Sequence, residues 1–133
     1  MTLATTLLLL FTLAMVVVHL TSGRLLRRAW GEEPPGWLSV LNIFRFEGSY
    51  YLALLGYVYW ARGRFLLAPL LVMAALHLAG WAVAERRPGW LVNAGEEAAR
   101  ARVLAGVQLF DLGETVVLLY IAWVLTRAMF SAA

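Results

Sequence analysis

The chain has 133 residues, of which 62% are apolar and 14% are charged, whereas a soluble domain has about 45–50% apolar and about 25% charged residues. A single water-soluble core of this size could not bury so much apolar surface. The composition therefore excludes a soluble enzyme, a disordered tail and a secreted disulfide scaffold. Because cysteine is absent, thiol nucleophiles, cysteine-ligated zinc and iron–sulfur clusters are excluded as well.

The basic residues are all arginine, and the net charge is +3. They lie in small groups at the ends of apolar segments, which is typical of residues that orient helices in a bilayer rather than of a surface that binds nucleic acid. We therefore expect the lipid bilayer to be a partner of this chain, and we expect no nucleic acid.

Four apolar segments predict an all-α, integral membrane four-helix bundle in a single domain, because roughly 20 apolar residues cross a bilayer. The first segment lacks a preceding basic region, which favours a retained helix over a signal peptide. The pair Pro34–Pro35 breaks the chain, and residues 37–44 are too short to span, so they lie at the interface or lead into the second span. Asn93 is a candidate cap for the last helix. The predicted spans are about 3–22, 44–61, 65–84 and 103–128.

The distribution of arginine predicts the orientation of these spans. Cytoplasmic loops carry an excess of arginine and lysine, which places the first and third loops in the cytoplasm and both termini outside. We expect a multi-pass protein of a bacterial-type inner membrane. The arginines of the first and third loops outnumber those of the opposite side: Arg24, Arg27, Arg28, Arg45, Arg86, Arg87, Arg100 and Arg102 against Arg62, Arg64 and Arg127.

Several polar residues fall within the predicted spans, all in the cytoplasmic half. At 1.5 Å per residue, His77 lies about 10 Å from the inner end of its span, and Asp111 and Glu114 lie about 12 and 16 Å deep. Acids within a membrane are costly and mark candidate functional sites. They either hydrogen-bond between helices or take part in chemistry. The predicted intramembrane polar cluster consists of His77, Asp111, Glu114, Gln108 and Glu47.

The fourth span has a second feature on the side opposite its acids. Gly106, Gly113, Tyr120 and Arg127 recur every seven residues, and small residues allow helices to approach closely. We interpret Gly106, Gly113 and Tyr120 as a helix-packing seam that contacts another protein. This seam favours a homo-oligomer or a complex with other membrane subunits.

Three functions are compatible with these features. The first is an accessory or structural subunit of a larger membrane complex, without catalysis of its own. The second is a membrane anchor of a respiratory complex with a quinone site or haem b, in which His19 and His77 are the axial ligands. The separation of His77, Asp111 and Glu114 along the chain does not predict a metal site, and no cofactor other than haem b is expected.

The third function is an enzyme that acts on a lipophilic substrate. The chain length, the four spans, the basic first loop and Asn42 and Glu47 at the start of the second span resemble the MAPEG family of glutathione-linked membrane proteins. The resemblance covers the whole chain in layout and implies a trimer that holds glutathione with arginines, an asparagine and a glutamate. In that family the two residues are three positions apart, and here they are five apart.

Overall fold

The computed structural model describes residues 3–32, 39–61, 67–87, 90 and 95–130. The prolines at 34 and 35, Asn93 and the arginines at 62 and 64 lie outside these residues. The described chain forms four α-helices and is otherwise turn or irregular. In chain order they are α1 (Leu3–Ala29), α2 (Val40–Ala61), α3 (Leu67–Arg86) and α4 (Glu97–Phe130).

Successive helices run antiparallel, so the chain forms an up-down-up-down bundle. Helix α1 packs against both α2 and α4, and α3 packs against α2. At one end of the bundle Thr5 Oγ1 lies 3.2 Å from Tyr57 Oη. At the other end Arg100 Nη1 lies 3.5 Å from Glu32 Oε1. The predicted four-helix bundle is therefore confirmed.

The outer surface of the bundle is apolar. Large hydrophobic side chains are exposed along α1 at three- and four-residue intervals, as on one face of a helix. A soluble monomer rarely exposes so large an apolar surface. Three of the four described helices, α1, α3 and α4, are long and apolar enough to cross a membrane. The exposed apolar residues of α1 are Leu3, Leu7, Leu10, Leu13, Val17 and Leu20.

The interior of the bundle contains polar as well as apolar residues. On α1 the buried residues Thr5, Thr12, His19 and Leu26 recur every seven positions, the repeat that keeps one face of a helix against its neighbours. Thr12 Oγ1 donates to the carbonyl oxygen of Leu8 at 2.8 Å. The Tyr50 hydroxyl therefore donates to Thr12 Oγ1, 3.1 Å away. This layer joins α1 to α2 at a level about two turns of α1 away from His19.

Glycine permits the close approach of α2 and α3. A Cβ atom at Gly48 would collide with the ring of Trp81, and one at Gly80 would lie 2.8 Å from Cε1 of Phe44. At the same end, Arg45 Nε donates to Glu85 Oε1 at 2.7 Å. Each helix thus presents a glycine to an aromatic ring of the other, which sets the separation of the two helices at the level of Glu47.

The helices extend beyond the predicted spans at the arginine-rich end. Helix α1 continues to Ala29 and α4 begins at Glu97, whereas the predicted spans end at residue 22 and begin at residue 103. Residues 40–44 form the first turn of α2 rather than a separate segment. The described part of the predicted interfacial segment therefore leads directly into the second helix.

Candidate metal centre

Each of the four helices contributes one side chain to a single buried centre. His19 comes from α1, Glu47 from α2, His77 from α3 and Glu114 from α4. All four are buried, and Glu114 has no exposed surface. The antiparallel order of the helices brings these positions to one level, although the sequence separates them by as many as 95 residues. We call these four residues the His₂Glu₂ centre.

The donor atoms of the His₂Glu₂ centre converge on a small volume. His77 Nε2 lies 3.2 Å from Glu114 Oε2, and His19 Nε2 lies 3.4 Å from Glu114 Oε1. Glu47 is slightly farther away, with its oxygens 3.8 Å from His77 Nε2 and 4.0 Å from His19 Nε2. Ligand atoms of His19, His77 and Glu114 all lie within 4.8 Å of one another, close enough to share a metal ion.

Both imidazole rings are oriented by a second contact at Nδ1. His77 Nδ1 lies 2.8 Å from the carbonyl oxygen of Met73, and because a carbonyl can only accept, this nitrogen carries the proton. His19 Nδ1 lies 3.0 Å from Asp111 Oδ1. Metal-bound histidines commonly donate their other ring nitrogen to a carboxylate or a backbone carbonyl in this way. Both Nε2 atoms are thereby directed towards the carboxylates of the centre.

Tyr51 supports the centre from α2. Its hydroxyl donates to Glu114 Oε1, and its ring stacks on His77 with the ring centroids 4.7 Å apart. Tyr51 is not among the predicted site residues, although it follows Glu47 by four positions and so shares its helix face. Tyr51 fixes both Glu114 and His77, which restricts the rotamers that the centre can adopt.

The centre contains buried polar atoms that the described residues do not satisfy. His19 Nε2, Glu114 Oε2 and Asp111 Oδ2 have no hydrogen-bond partner among the described residues. A buried polar atom without a partner costs about 1–3 kcal/mol. If both imidazoles carry their proton on Nδ1, their Nε2 lone pairs face carboxylate oxygens. This arrangement is repulsive unless a metal ion, or a second proton on the imidazole, lies between them.

The structure brings most of the predicted cluster together. His77, Glu114 and Glu47 lie in the His₂Glu₂ centre, and Asp111 lies beside it as the partner of His19. Gln108 is separate from them. It lies one turn before Asp111, is exposed, and its Nε2 lies 2.7 Å from where a Cβ of Gly23 would be. Gln108 therefore packs against the backbone of α1 instead of entering the centre.

The predicted axial ligands of haem b, His19 and His77, face each other across the bundle. Their ring centroids are 6.0 Å apart and the rings are nearly perpendicular. The carboxylates of Glu47 and Glu114 lie next to both Nε2 atoms. They therefore occupy the space into which a porphyrin plane would have to extend between the two rings.

The predicted packing seam on α4 is divided in the structure: Gly113 is exposed, Gly106 lines a cavity beside the centre, and Tyr120 packs against the hydrophobic core. A Cβ at Gly106 or at Gly113 would meet no atom of the described chain within 4 Å, and Tyr120 is half-buried. Within this part of the chain, the two glycines face open space and the buried face of α4 carries Asp111 and Glu114. A protein contact at the seam remains a prediction.

A cavity of about 260 Å³ adjoins the centre on its arginine-rich side. Glu47, His77 and Asp111 form its polar end. The rest of its lining comes from three helices and is almost entirely apolar: Ser22, Leu25, Leu26, Val40, Ile43, Phe44, Gly106, Val107 and Phe110.

Comparisons with known proteins add no indication of function, so the His₂Glu₂ centre is the principal one. No family model, no curated protein and no solved structure matches the chain.

Proposed function

We propose that this chain is a multi-pass membrane protein that holds one divalent first-row metal ion at the His₂Glu₂ centre. The observation that carries the proposal is the orientation of the two histidines. Each is held at Nδ1 by an acceptor, Asp111 or Met73, and each directs Nε2 at the same two carboxylates. A cation bound there would satisfy His19 Nε2 and Glu114 Oε2, which have no partner among the described residues.

The distances support a single ion. Two ligands bound tetrahedrally at about 2.1 Å lie about 3.4 Å apart. Glu114 lies 3.4 Å from His19 Nε2 and 3.2 Å from His77 Nε2. Glu47 lies within 4.0 Å of both Nε2 atoms, so a change of its rotamer would bring it in as the fourth ligand of the ion. Two of the carboxylate charges in the low-dielectric interior would be offset by the ion.

The donor set favours particular metals. Two imidazoles and two carboxylates suit Zn²⁺, Fe²⁺, Mn²⁺ and Co²⁺, whereas soft metals such as Cu⁺ prefer the thiolates that this chain lacks. The crowding of both Nε2 atoms by carboxylates favours a small ion over haem b. The His19, His77 and Glu114 combination provides two nitrogens and one carboxylate, the set that leaves open positions for a substrate on non-haem iron.

A membrane location is supported by the exposed apolar surface and by the burial of the polar residues. Helix α2 is not among the three described helices that are long and apolar enough to cross a membrane, and it carries Arg45, Glu47 and several tyrosines. Its Glu47, Tyr50 and Tyr51 are nevertheless buried and paired inside the bundle. We propose that α2 also spans, that both termini lie outside, and that the membrane is a bacterial-type inner membrane.

Metal analysis of the purified protein tests the proposal. The protein is purified in mild detergent, stripped with a chelator, reloaded separately with Zn²⁺, Fe²⁺, Mn²⁺ or Co²⁺, and its metal content is measured by mass spectrometry. We expect a stoichiometric ion that is lost in His77→Ala and in Glu114→Gln. Tyr50→Phe is the matched control, because Tyr50 is equally buried but bonds to Thr12. It should retain the metal.

Folding must be separated from metal binding in this experiment. Each variant is therefore compared with the wild-type protein by size-exclusion chromatography and helical circular dichroism. A wild-type protein that is folded but binds none of the four ions would contradict the proposal and would leave the centre as a hydrogen-bonded core. An equal metal content in Glu114→Gln would contradict it as well.

A role as a subunit is compatible with the same centre. A Cβ at Gly106 or at Gly113 would meet no atom of the described chain within 4 Å, and closely packed membrane helices are enriched in small residues at their contacts. We propose that this seam contacts another copy or another membrane subunit. Mass spectrometry of proteins that co-elute in stoichiometric amounts from the native host tests this, and a stable monomer that elutes alone would contradict it.

A further inference from the structure

The cavity beside the His₂Glu₂ centre has the size of a site for one small ring. Its volume is about 260 Å³, and an apolar cavity of about 150 Å³ already holds benzene. Phe44 and Phe110 contribute aromatic surface to its lining, and aromatic rings favour stacked or edge-on contact with another ring. Phe110 also lies against His77, with ring centroids 5.9 Å apart, so a bound ring would reach the edge of the centre.

The polar end of the cavity selects the chemical group of the ligand. Asp111 lines the cavity, and its Oδ1 is engaged by His19 Nδ1. Its Oδ2 is buried and has no partner among the described residues. Glu47 also lines this end of the cavity. Carboxylate oxygens can only accept, so the ligand group that lies at this end must be a donor. Apart from Ser22, Glu47 and His77, the remaining lining is apolar, which favours a neutral hydroxyl over an ammonium group because a charged ligand would lose more solvation.

We propose that this cavity binds a single-ring phenolic compound, whose hydroxyl donates to a carboxylate of the polar end, formed by Glu47 and Asp111, while the ring lies against Phe44 and Phe110. The ligand lies next to the His₂Glu₂ centre, so its position relative to a metal ion rests on the proposed function. Occupancy of the cavity depends on Gly106, Phe44, Phe110 and Asp111.

Gly106 provides a direct way to close the cavity. It lines the cavity, and a Cβ added there meets no described atom within 4 Å, so a larger side chain can begin at this position without a collision, and Gly106→Leu is expected to extend into the cavity. Gly113→Leu is the matched control. Gly113 lies two turns along the same face of α4, is equally free of neighbours within the described chain, and does not line the cavity.

Fluorine NMR of 4-fluorophenol tests the proposal, with fluorobenzene as the probe that lacks the hydroxyl. Both are titrated into the chelator-stripped and the Co²⁺-loaded protein in detergent, with empty micelles as the correction for partitioning. We expect 4-fluorophenol to bind at least about tenfold more tightly than fluorobenzene, since loss of a hydrogen bond to a buried carboxylate is costly. Gly106→Leu should weaken that binding by about tenfold or more, and Gly113→Leu by less than about twofold.

Cobalt separates failure of this proposal from failure of the metal centre. In the Co²⁺-loaded protein, bound 4-fluorophenol should show a paramagnetic shift because the cavity adjoins the ion. A protein that takes up no cobalt contradicts the metal centre, and the titrations of the stripped protein then decide the cavity alone. Equal binding of the two probes, or equal binding by Gly106→Leu and Gly113→Leu, would overturn the phenol site even if cobalt is bound.

Discussion

His19 on α1 and Asp111 on α4 are joined through Nδ1 and Oδ1, 3.0 Å apart, and this contact directs His19 Nε2 towards Glu114. The two residues are 92 positions apart in the chain. Their contact therefore depends on the antiparallel packing of α1 against α4. Asp111 acts on the His₂Glu₂ centre through the histidine that it orients.

Removal of Asp111 should weaken metal binding without abolishing it. Loss of such a partner typically lowers metal affinity by about 10–100-fold, so Asp111→Ala is expected to raise the Co²⁺ dissociation constant by that factor. Gln108→Ala is the control, because Gln108 is one turn away on α4 and lies outside the centre. Competition with a chromophoric chelator measures both constants. Equal affinities in the two variants would show that Asp111 does not position His19.

The two adjacent tyrosines of α2 should differ in their effects. Tyr51→Phe removes the donor to Glu114 and should cost about 1.5–3 kcal/mol of unfolding free energy, because that acceptor is a carboxylate. Tyr50→Phe removes a neutral bond to Thr12 and should cost about 0.5–1.5 kcal/mol. Thermal unfolding in detergent gives the stabilities. Only Tyr51→Phe should also lower metal affinity, and a loss in Tyr50→Phe would argue against a specific role for Tyr51.

Metal removal should destabilise the protein, and the effect should shrink as the pH falls. Binding to the folded state alone stabilises it by about 4 kcal/mol at a free-ion concentration of 1,000 times the dissociation constant. Protons compete with the ion for both Nε2 atoms and for the carboxylates, so affinity falls with decreasing pH. We expect the chelator to lower the melting temperature more at pH 7.5 than at pH 5.5. A larger chelator effect at the lower pH would contradict this ligand set.

The contact between Gly48 and Trp81 should make α2 sensitive to one methyl group. Trp81 is held by a 3.0 Å hydrogen bond from Nε1 to Glu85, so its ring cannot yield freely, and Gly48→Ala is expected to cost about 1–3 kcal/mol. Gly56→Ala is the control on the same helix, because its Cβ would lie 3.8 Å from Trp60, an ordinary contact. Alanine is favoured over glycine within a helix, so that variant should be at least as stable as the wild-type protein in a thermal melt.

The absence of cysteine allows the orientation to be mapped with single cysteines. Leu3→Cys lies at the start of α1, and Gly95→Cys lies before α4 at the opposite end of the bundle. The arginine distribution predicts that a membrane-impermeant maleimide labels Leu3→Cys in intact cells. Gly95→Cys should react only after the membrane is permeabilised. The opposite labelling pattern would reverse the proposed orientation, and labelling of both in intact cells would contradict a membrane-spanning bundle.

Much of the fold could be predicted because the helices are defined by apolar composition. The four helices and the buried face of α4 with Asp111 and Glu114 follow from local periodicity. The helix ends could not be predicted in the same way, because α1 and α4 continue beyond their apolar stretches into arginine-rich turns that remain helical. The sequence predicts Gln108 beside the acids because it falls within the same wide arc of α4, whereas the structure separates it from them. Its position against Gly23 depends on how closely α1 approaches at that turn.

The composition by itself determined that this chain forms apolar helices with polar residues inside them, because apolar surface on this scale cannot be buried in a core of 133 residues. It also determined which residue types were available, two histidines and a few acids without cysteine. Only the tertiary structure decided which of them meet. His19, Glu47, His77 and Glu114 come from four different helices, and their convergence depends on helix register, packing distance and side-chain rotamers. These are properties of contacts between distant segments, which local sequence patterns do not encode.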